Sequence, residues 1–285
     1  MRIGIYTNLT RDIGGKVTLA VYKQLKGHGF EVYVSDELKS IGLPDDCIYL
    51  NNAELATVSE ILLVFGGDGT ILRIAKECAV AKTPVFAVNI GNKGFLTELD
   101  RDEVDQIITE ILNGQYKLDN RQLLQVSVEG KEEVYYALNE VVIARESCTK
   151  VVRTEISVNN ARVDNYTSDG VIVCTPTGST AYSLSAGGPI VSPDVEALVI
   201  TPICAHSLHS RPLVVNNHNE VTIKINHAEP NAYLNVDGTL LTSLKNNEVV
   251  KVTKSDVYLT FIRRNYYNFH KKLLSKMRYW SSFED

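Results

Sequence analysis

Cysteine is sparse in this 285-residue chain, and its spacing carries no pattern. The five residues Cys47, Cys78, Cys148, Cys174 and Cys204 are odd in number, far apart and include no CxxC pair. That excludes a disulfide framework and a structural zinc site, and most lie in apolar context, as small buried thiols do. The six histidines form no HExxH and no cluster with ligand spacing. No apolar run approaches the roughly 20 residues of a membrane span. The opening MRIGIYTNL runs straight into a strand-like segment without a signal-peptide hydrophobic region, so a reduced, cytoplasmic setting is expected. A basic excess is also missing: 29 Lys and Arg face 34 Asp and Glu, a formal charge of −5. A dedicated nucleic-acid binder is therefore not expected, whereas an anionic small substrate in a locally positive pocket remains open. Two phosphate cradles are absent. Gly14-Gly15-Lys16-Val17 is no GxxxxGK[ST], and no GxGxxG occurs.

What is present is a chain too apolar for disorder, with 44% hydrophobic residues, and long enough for a substantial core. The first ~115 residues alternate strand and helix patterns. Ile3–Tyr6, Val32–Val34, Ile61–Phe65 and Pro84–Val88 read as strands. Lys16–Lys26, the stretch after Gly69, and Asp102–Leu112 (capped at Asp100 or Asp102) read as helices. This alternation predicts an α/β domain with a parallel, doubly wound sheet over 1–117. Beyond it, short strands punctuated by Asn159-Asn160, Asn216-Asn217, Asp237-Gly238 and Asn246-Asn247 predict a β-sandwich over 118–264. Those strands are Leu123–Val128, Val134–Ala144, Thr154–Val158, Val171–Cys174, Val199–Ile203, Val221–Ile225, Val249–Val252 and Val257–Ile262. Gly114–Asn120 is the expected linker. Residues 265–285 return to helical spacing, as a helix packing back on the first domain.

Two segments carry chemistry. Gly66-Gly67-Asp68-Gly69-Thr70 places an acid in a glycine turn between a strand and a helix, where open α/β sheets bind ligands. Glycines permit close approach of a phosphate, and the helix start favours an anion. A carboxylate does not hold phosphate directly, so Asp68 is expected to take a proton from a hydroxyl or to hold a phosphate-bridging metal. The alternative is a turn or N-cap residue. The second segment, DGVIVCTPTGSTAYSLSAGGP at 169–189, is a strand followed by a Thr/Ser/Gly loop and a short helical stretch. Hydroxyls, backbone donors and the stacking face of Tyr182 make it a cradle for phosphate or the edge of a base.

With Asn139-Glu140, HSLHSRPLVV at 206–215 and Asp237-Gly238, these segments resemble the NAD kinase family over nearly the whole chain. GGDGT alone also occurs in diacylglycerol and sphingosine kinases, with a relative in phosphofructokinases; TPTGSTAYSLSAGGP is the specific part. The resemblance implies a two-domain fold, α/β then β-sandwich, in a homodimer or homotetramer. It implies transfer of a phosphoryl group from ATP, or polyphosphate, to the 2′-hydroxyl of the adenosine ribose of NAD, with Mg2+ or Mn2+. Asp68 then matches the general base. Gly67 and Gly69 match close contacts to pyrophosphate, and Arg73 a phosphate contact or else an exposed helix arginine. Phe95 packs on adenine or belongs to the core. Asn139 matches the reader of the adenine edge, Glu140 a ligand of ribose hydroxyls, and Asp169 a contact to the nicotinamide carboxamide. Thr177, Thr180, Ala181, Tyr182 and Ser185 match the dinucleotide-lining loop, and Lys150 a polar or basic contact. No residue is assigned as a resident metal ligand. His206, His209 and Arg211 are expected to shape the site or a subunit contact. Thr167 and Thr239 depart from residues other members carry, which leaves NAD against NADH preference open. A lipid or small-alcohol kinase and a non-catalytic NAD(P) sensor are the alternatives.

Overall fold

The computed structural model describes residues 1–91, 94–97, 99–100 and 103–281. Two compact units emerge, Met1–Asn120 with Tyr258–Asp285, and Arg121–Val257.

In the first unit the strands are β1 (Arg2–Thr7), β2 (Glu31–Ser35), β3 (Ile48–Leu50), β4 (Ile61–Gly66), β5 (Val85–Asn89) and the short β6 (Leu99–Asp100). The helices are α1 (Lys16–Gly27), α2 (Asn52–Val58), α3 (Asp68–Ala81) and α4 (Val104–Leu112). The expected cap Asp102 lies outside the described residues. Strands β3-β2-β1-β4-β5 pair in that order and all in parallel. A parallel sheet covered on both faces needs strands apolar throughout. Accordingly every residue of β4 and β5 is buried. Phe65 and Phe86 sit in one core with Ile3, Ile5 and Leu25. Each such side chain contributes roughly 1.5–3 kcal/mol on burial. Helix α1 lays Val21, Tyr22 and Leu25 on this core, and α3 buries Ile71, Ile74, Ala75 and Cys78. Asp12 occupies the start of α1, accepting the N–H groups of Val17 and Thr18 at 3.1 and 2.9 Å.

The last strand of the chain also joins this sheet. Its Phe261 pairs in parallel with Val85 of β5. It is one long strand, Val249–Arg264, where two were expected. Helix Phe269–Ser281 follows it within the first unit. The expected linker at 114–120 is largely strand: Tyr116–Val128 is continuous. Its first residues look loop-like because they are polar and mostly exposed, yet backbone pairing with Val249–Arg264 holds them extended.

We label the strands of the remainder β7 (Tyr116–Val128), β8 (Val134–Ala137), β9 (Glu140–Arg145), β10 (Val152–Val158), β11 (Ala161–Ser168), β12 (Gly170–Cys174), β13 (Ala197–Ile203), β14 (Leu213–Asn216), β15 (Val221–His227), β16 (Ala232–Val236), β17 (Thr239–Leu244) and β18 (Val249–Arg264). Helices α5 (Tyr182–Ser185) and α6 (Phe269–Ser281) complete the chain. The second unit is a pair of antiparallel sheets. One runs β14-β13-β12-β9-β16-β17. The other contains β11-β10-β15-β18. Val141, Val171, Ile200 and Leu234 from the first meet Ile156, Ile223 and Val252 from the second in a single core. The other face of the first sheet buries Ile172, Cys174 and Val199 against Val191. Burial on both faces explains why β12 and β13 read as unbroken apolar runs. Asn159, Asn160 and Asp237 carry positive φ in the turns the sequence marks. Cys47, Cys78 and Cys174 are buried, whereas Cys148 and Cys204 are exposed.

Candidate active site

The first unit carries an open pocket of about 440 Å³ lined by Asn8, Arg11, Gly67, Asp68, Gly69, Thr70, Arg73 and Gly94. Its position follows from topology. Asn8 and Arg11 follow β1, and Gly67 to Arg73 follow β4. Those neighbouring strands lie where the order of the sheet reverses direction, the crevice in which doubly wound sheets bind ligands. Helix α3 starts beside the pocket from Gly67, with no side-chain cap hydrogen bond. Thr70 ties the two loops together: its hydroxyl accepts from Asn8 Nδ2 at 3.3 Å and from the Gly67 N–H at 3.4 Å.

Asp68 is the first residue of α3 and is not its cap. Its carboxylate is held from outside the helix. Oδ2 accepts the Phe95 N–H at 2.8 Å and Oδ1 accepts the Leu96 N–H at 3.0 Å. A Cβ on Gly94 would overlap Oδ1, so only glycine lets this loop come so close. One donor on each oxygen fixes the plane of the group while leaving each oxygen a second lone pair for a proton. Arg11 and Arg73 line the same pocket and are exposed, so that among the described residues two cations face one carboxylate. Arg11 and Asn8 were not legible as site residues; the signal was their place just past β1, next to the strand that carries GGDGT. Phe95 is half-buried, its ring beneath the Lys276 ammonium at 5.7 Å.

The second unit gathers another group of the expected residues. The expected strand 134–144 is broken at Leu138-Asn139 into β8 and β9. Asp237 causes the break: its carboxylate accepts the N–H groups of Leu138, Asn139 and Glu140 at 2.7, 2.9 and 3.0 Å. These amides are thereby withdrawn from strand pairing. The TPTGST loop packs onto the same corner. Thr175 N–H donates to the Asn139 carbonyl at 2.9 Å, and Thr175 Oγ1 to the Leu138 carbonyl at 2.7 Å. Gly178 lies so close that a Cβ would overlap the Asn139 carbonyl. Asn139, Glu140 and Thr177 are all buried, and Arg121 Nη1 donates to Thr177 Oγ1 at 3.2 Å.

Glu140 is the unusual acid of this group. It is only 7% exposed, and its Oε2 has no hydrogen-bond partner among the described residues. Burial, reinforced by the charge of Asp237, pushes its pKa up to about 8, although the Tyr182 backbone N–H pulls the other way. A buried carboxyl oxygen left without a partner can still accept a hydrogen bond, or donate one when the group is protonated.

Asp169 stands at the far end of β12 from this corner, with five strand residues, roughly 20 Å of rise, between it and Thr175. It pairs with Arg145 at 2.9 Å. Thr180 and Ala181 are half-buried, and Tyr182 and Ser185 exposed, on the loop and α5. Lys150 pairs with Glu229 at 3.4 Å, with both side chains over half exposed. His206, His209 and Arg211 are exposed. Among the described residues no three His, Cys, Asp or Glu side chains converge on a metal position, and no helix is long and apolar enough to cross a membrane.

Comparison with known proteins bears on both units. Residues 3–116 match the family model of the ATP-NAD kinase N-terminal domain, and residues 138–264 that of the ATP-NAD kinase C-terminal domain. An NAD kinase of Thermoanaerobacter sp. (strain X514) is 38% identical over 279 residues, spanning 97% of this chain and 98% of that protein. One of Clostridium botulinum (strain Loch Maree / Type A3) is 34% identical over 281 residues, spanning 98% and 97%. The crystal structure of yeast NADH kinase complexed with NADH superposes with a TM-score of 0.84 at 27% identity, over 93% of this chain and 84% of that one. An Archaeoglobus fulgidus NAD kinase solved with ATP shares the fold, with a TM-score of 0.77 at 24% identity over 98% and 99%. The fold is the two-domain fold of those enzymes, and the chain belongs to the NAD kinase family.

Proposed function

We propose that this protein phosphorylates the 2′-hydroxyl of the adenosine ribose of NAD to give NADP, with Asp68 as the general base. The observation that carries the reading is the Asp68 carboxylate, fixed by two backbone amides in a pocket lined by two arginines. A ribose hydroxyl is a poor nucleophile at neutral pH. A positioned carboxylate that takes its proton as the O–P bond forms is worth about 10²–10⁴-fold. Gly67 and Gly69 let phosphate oxygens approach the backbone at the start of α3. Arg11 and Arg73 neutralise charge on the donor, whose terminal P–O bond breaks to leave ADP.

Asn139 supplies an amide with donor and acceptor for the adenine edge. Glu140 takes ribose hydroxyls, and the loop from Thr177 through Thr180, Ala181, Tyr182 and Ser185 lines the dinucleotide. Asp169, one strand length away, takes the carboxamide end; Phe95 and Lys150 are further contacts. The separation along β12 suits an extended dinucleotide. The donor is ATP or polyphosphate. Asp68 is the one acid among the described pocket-lining residues, so a magnesium or manganese ion fits if donor phosphates supply most of its ligands and Asp68 shares it. When bound, such an ion neutralises charge on the transferring group. A homo-oligomeric, cytoplasmic enzyme completes the reading.

Purified protein incubated with NAD, ATP and magnesium tests it, with NADP detected by an NADP-specific dehydrogenase. NADP formation is expected. No NADP from folded protein, with ATP or with polyphosphate, would refute it and favour a sensor of NAD(P).

A further inference from the structure

We propose that Arg263 is a positioning residue for Asp68, acting through the loop 94–97; this rests on the reading of Asp68 as the base. Asp68 is not oriented by its own helix. Both its oxygens are held by amides of that loop, so the loop's position sets the direction of the carboxylate. Leu96 is gripped on both sides. Its N–H goes to Asp68, and its carbonyl accepts from Arg263 Nη1 at 2.7 Å.

Arg263 is itself held on several sides. Its side chain is fully buried, its Nε meets Asp119 at 3.1 Å, and its guanidinium lies 4.4 Å from the Phe261 ring and 4.6 Å from the Tyr267 ring. The next carbonyl of the loop, Thr97, accepts from Lys272, and the Phe95 ring lies under Lys276. Three cations from the end of β18 and from α6 thus fasten three consecutive loop residues. Burying a guanidinium is costly, and an apolar side chain would fill the same space more cheaply. What an apolar residue cannot do is donate to the Leu96 carbonyl. The C-terminal segment is in this account part of the apparatus that aims the base.

A double-mutant cycle on the full chain tests the proposal, using Arg263→Lys, Asp68→Asn and the pair, with kcat and KM for NAD measured for each. Lysine keeps the charge and loses the planar fork. In the wild-type background kcat is expected to fall at least ~10-fold with KM for NAD within ~3-fold, as for a displaced catalytic group. In the Asp68→Asn background the same change should alter the residual rate less than ~2-fold, because the group it positions is gone. Hydrogen exchange at Phe95 and Leu96 should quicken in Arg263→Lys. An equal proportional loss in both backgrounds would overturn the proposal, as would unchanged exchange with unchanged kcat. Should Arg263→Lys fail to fold, Lys272→Met, at a half-buried position on α6, carries the same cycle and the same exchange readout. Wild-type turnover by Asp68→Asn alone would overturn both readings, and is told apart from failure of the positioning role by that single variant.

Discussion

Asp237 accepts the backbone N–H of Glu140 at 3.0 Å while its charge opposes ionisation of the Glu140 carboxyl. The same residue that breaks the strand at Asn139 also helps keep Glu140, the next residue, protonated. Folding raises Glu140 from 4.5 to about 8, so the native state holds a proton that the unfolded chain releases between those values. The stability this contributes is intact below pH 4.5, declines as pH rises, and is lost through about pH 8. Glu140→Gln removes that dependence. Urea unfolding at pH 5 and pH 8.5 should show the variant gaining at least about 1 kcal/mol on wild type across the interval. Parallel pH profiles would contradict the assignment.

Gly94→Ala places a methyl group against Asp68 Oδ1. The loop must retreat, taking the Phe95 and Leu96 amides with it. A shift near 1 Å in a reacting group costs about 10²-fold, so kcat should fall by that order while NAD binding, measured by calorimetry, is retained. Unchanged kcat would show that the close approach is not needed.

Gly178→Ala sets a Cβ against the Asn139 carbonyl, a backbone atom that cannot swing aside. Overpacking of this kind costs about 1–3 kcal/mol. Thermal unfolding should record that loss, and the KM for NAD should rise because Asn139 is displaced. A variant with wild-type stability and KM would refute the tight corner.

Arg11 lies just past β1 and lines the Asp68 pocket. Arg11→Gln should raise the KM for ATP roughly tenfold, about the worth of one charge-assisted contact at an open site, with the KM for NAD nearly unchanged. A rise confined to NAD would move Arg11 from the donor to the acceptor.

The parts of the fold legible in sequence are those whose signal is local. β4 followed by GGDGT and then helical spacing reads directly as strand, turn and helix, and so it folds. The Asn and Asp-Gly turns were equally plain, because few residues accept positive φ. β11 and β17 carry no strand signal, because most of their residues are exposed or half-exposed and lack the apolar alternation that marks a strand. The union of 249–252 and 257–262 into β18 was hidden for the same reason, the polar Thr253–Asp256 lying between. For the site, the motifs named Asp68, Asn139 and Glu140. They could not name Asp237 as the acceptor that shapes Asn139, nor Leu96 as the donor that aims Asp68. Those partners lie 98 and 28 residues away, and only the fold brings them together.

The most direct test of the account compares NADP formation by wild type and Asp68→Asn, with NAD binding measured alongside. Asparagine keeps the shape and one acceptor oxygen but cannot take the hydroxyl proton. With Asp68 as the base, kcat falls at least roughly 10²-fold, with NAD affinity changed only a few-fold. Equal turnover by the two proteins would contradict it and remove Asp68 as the base.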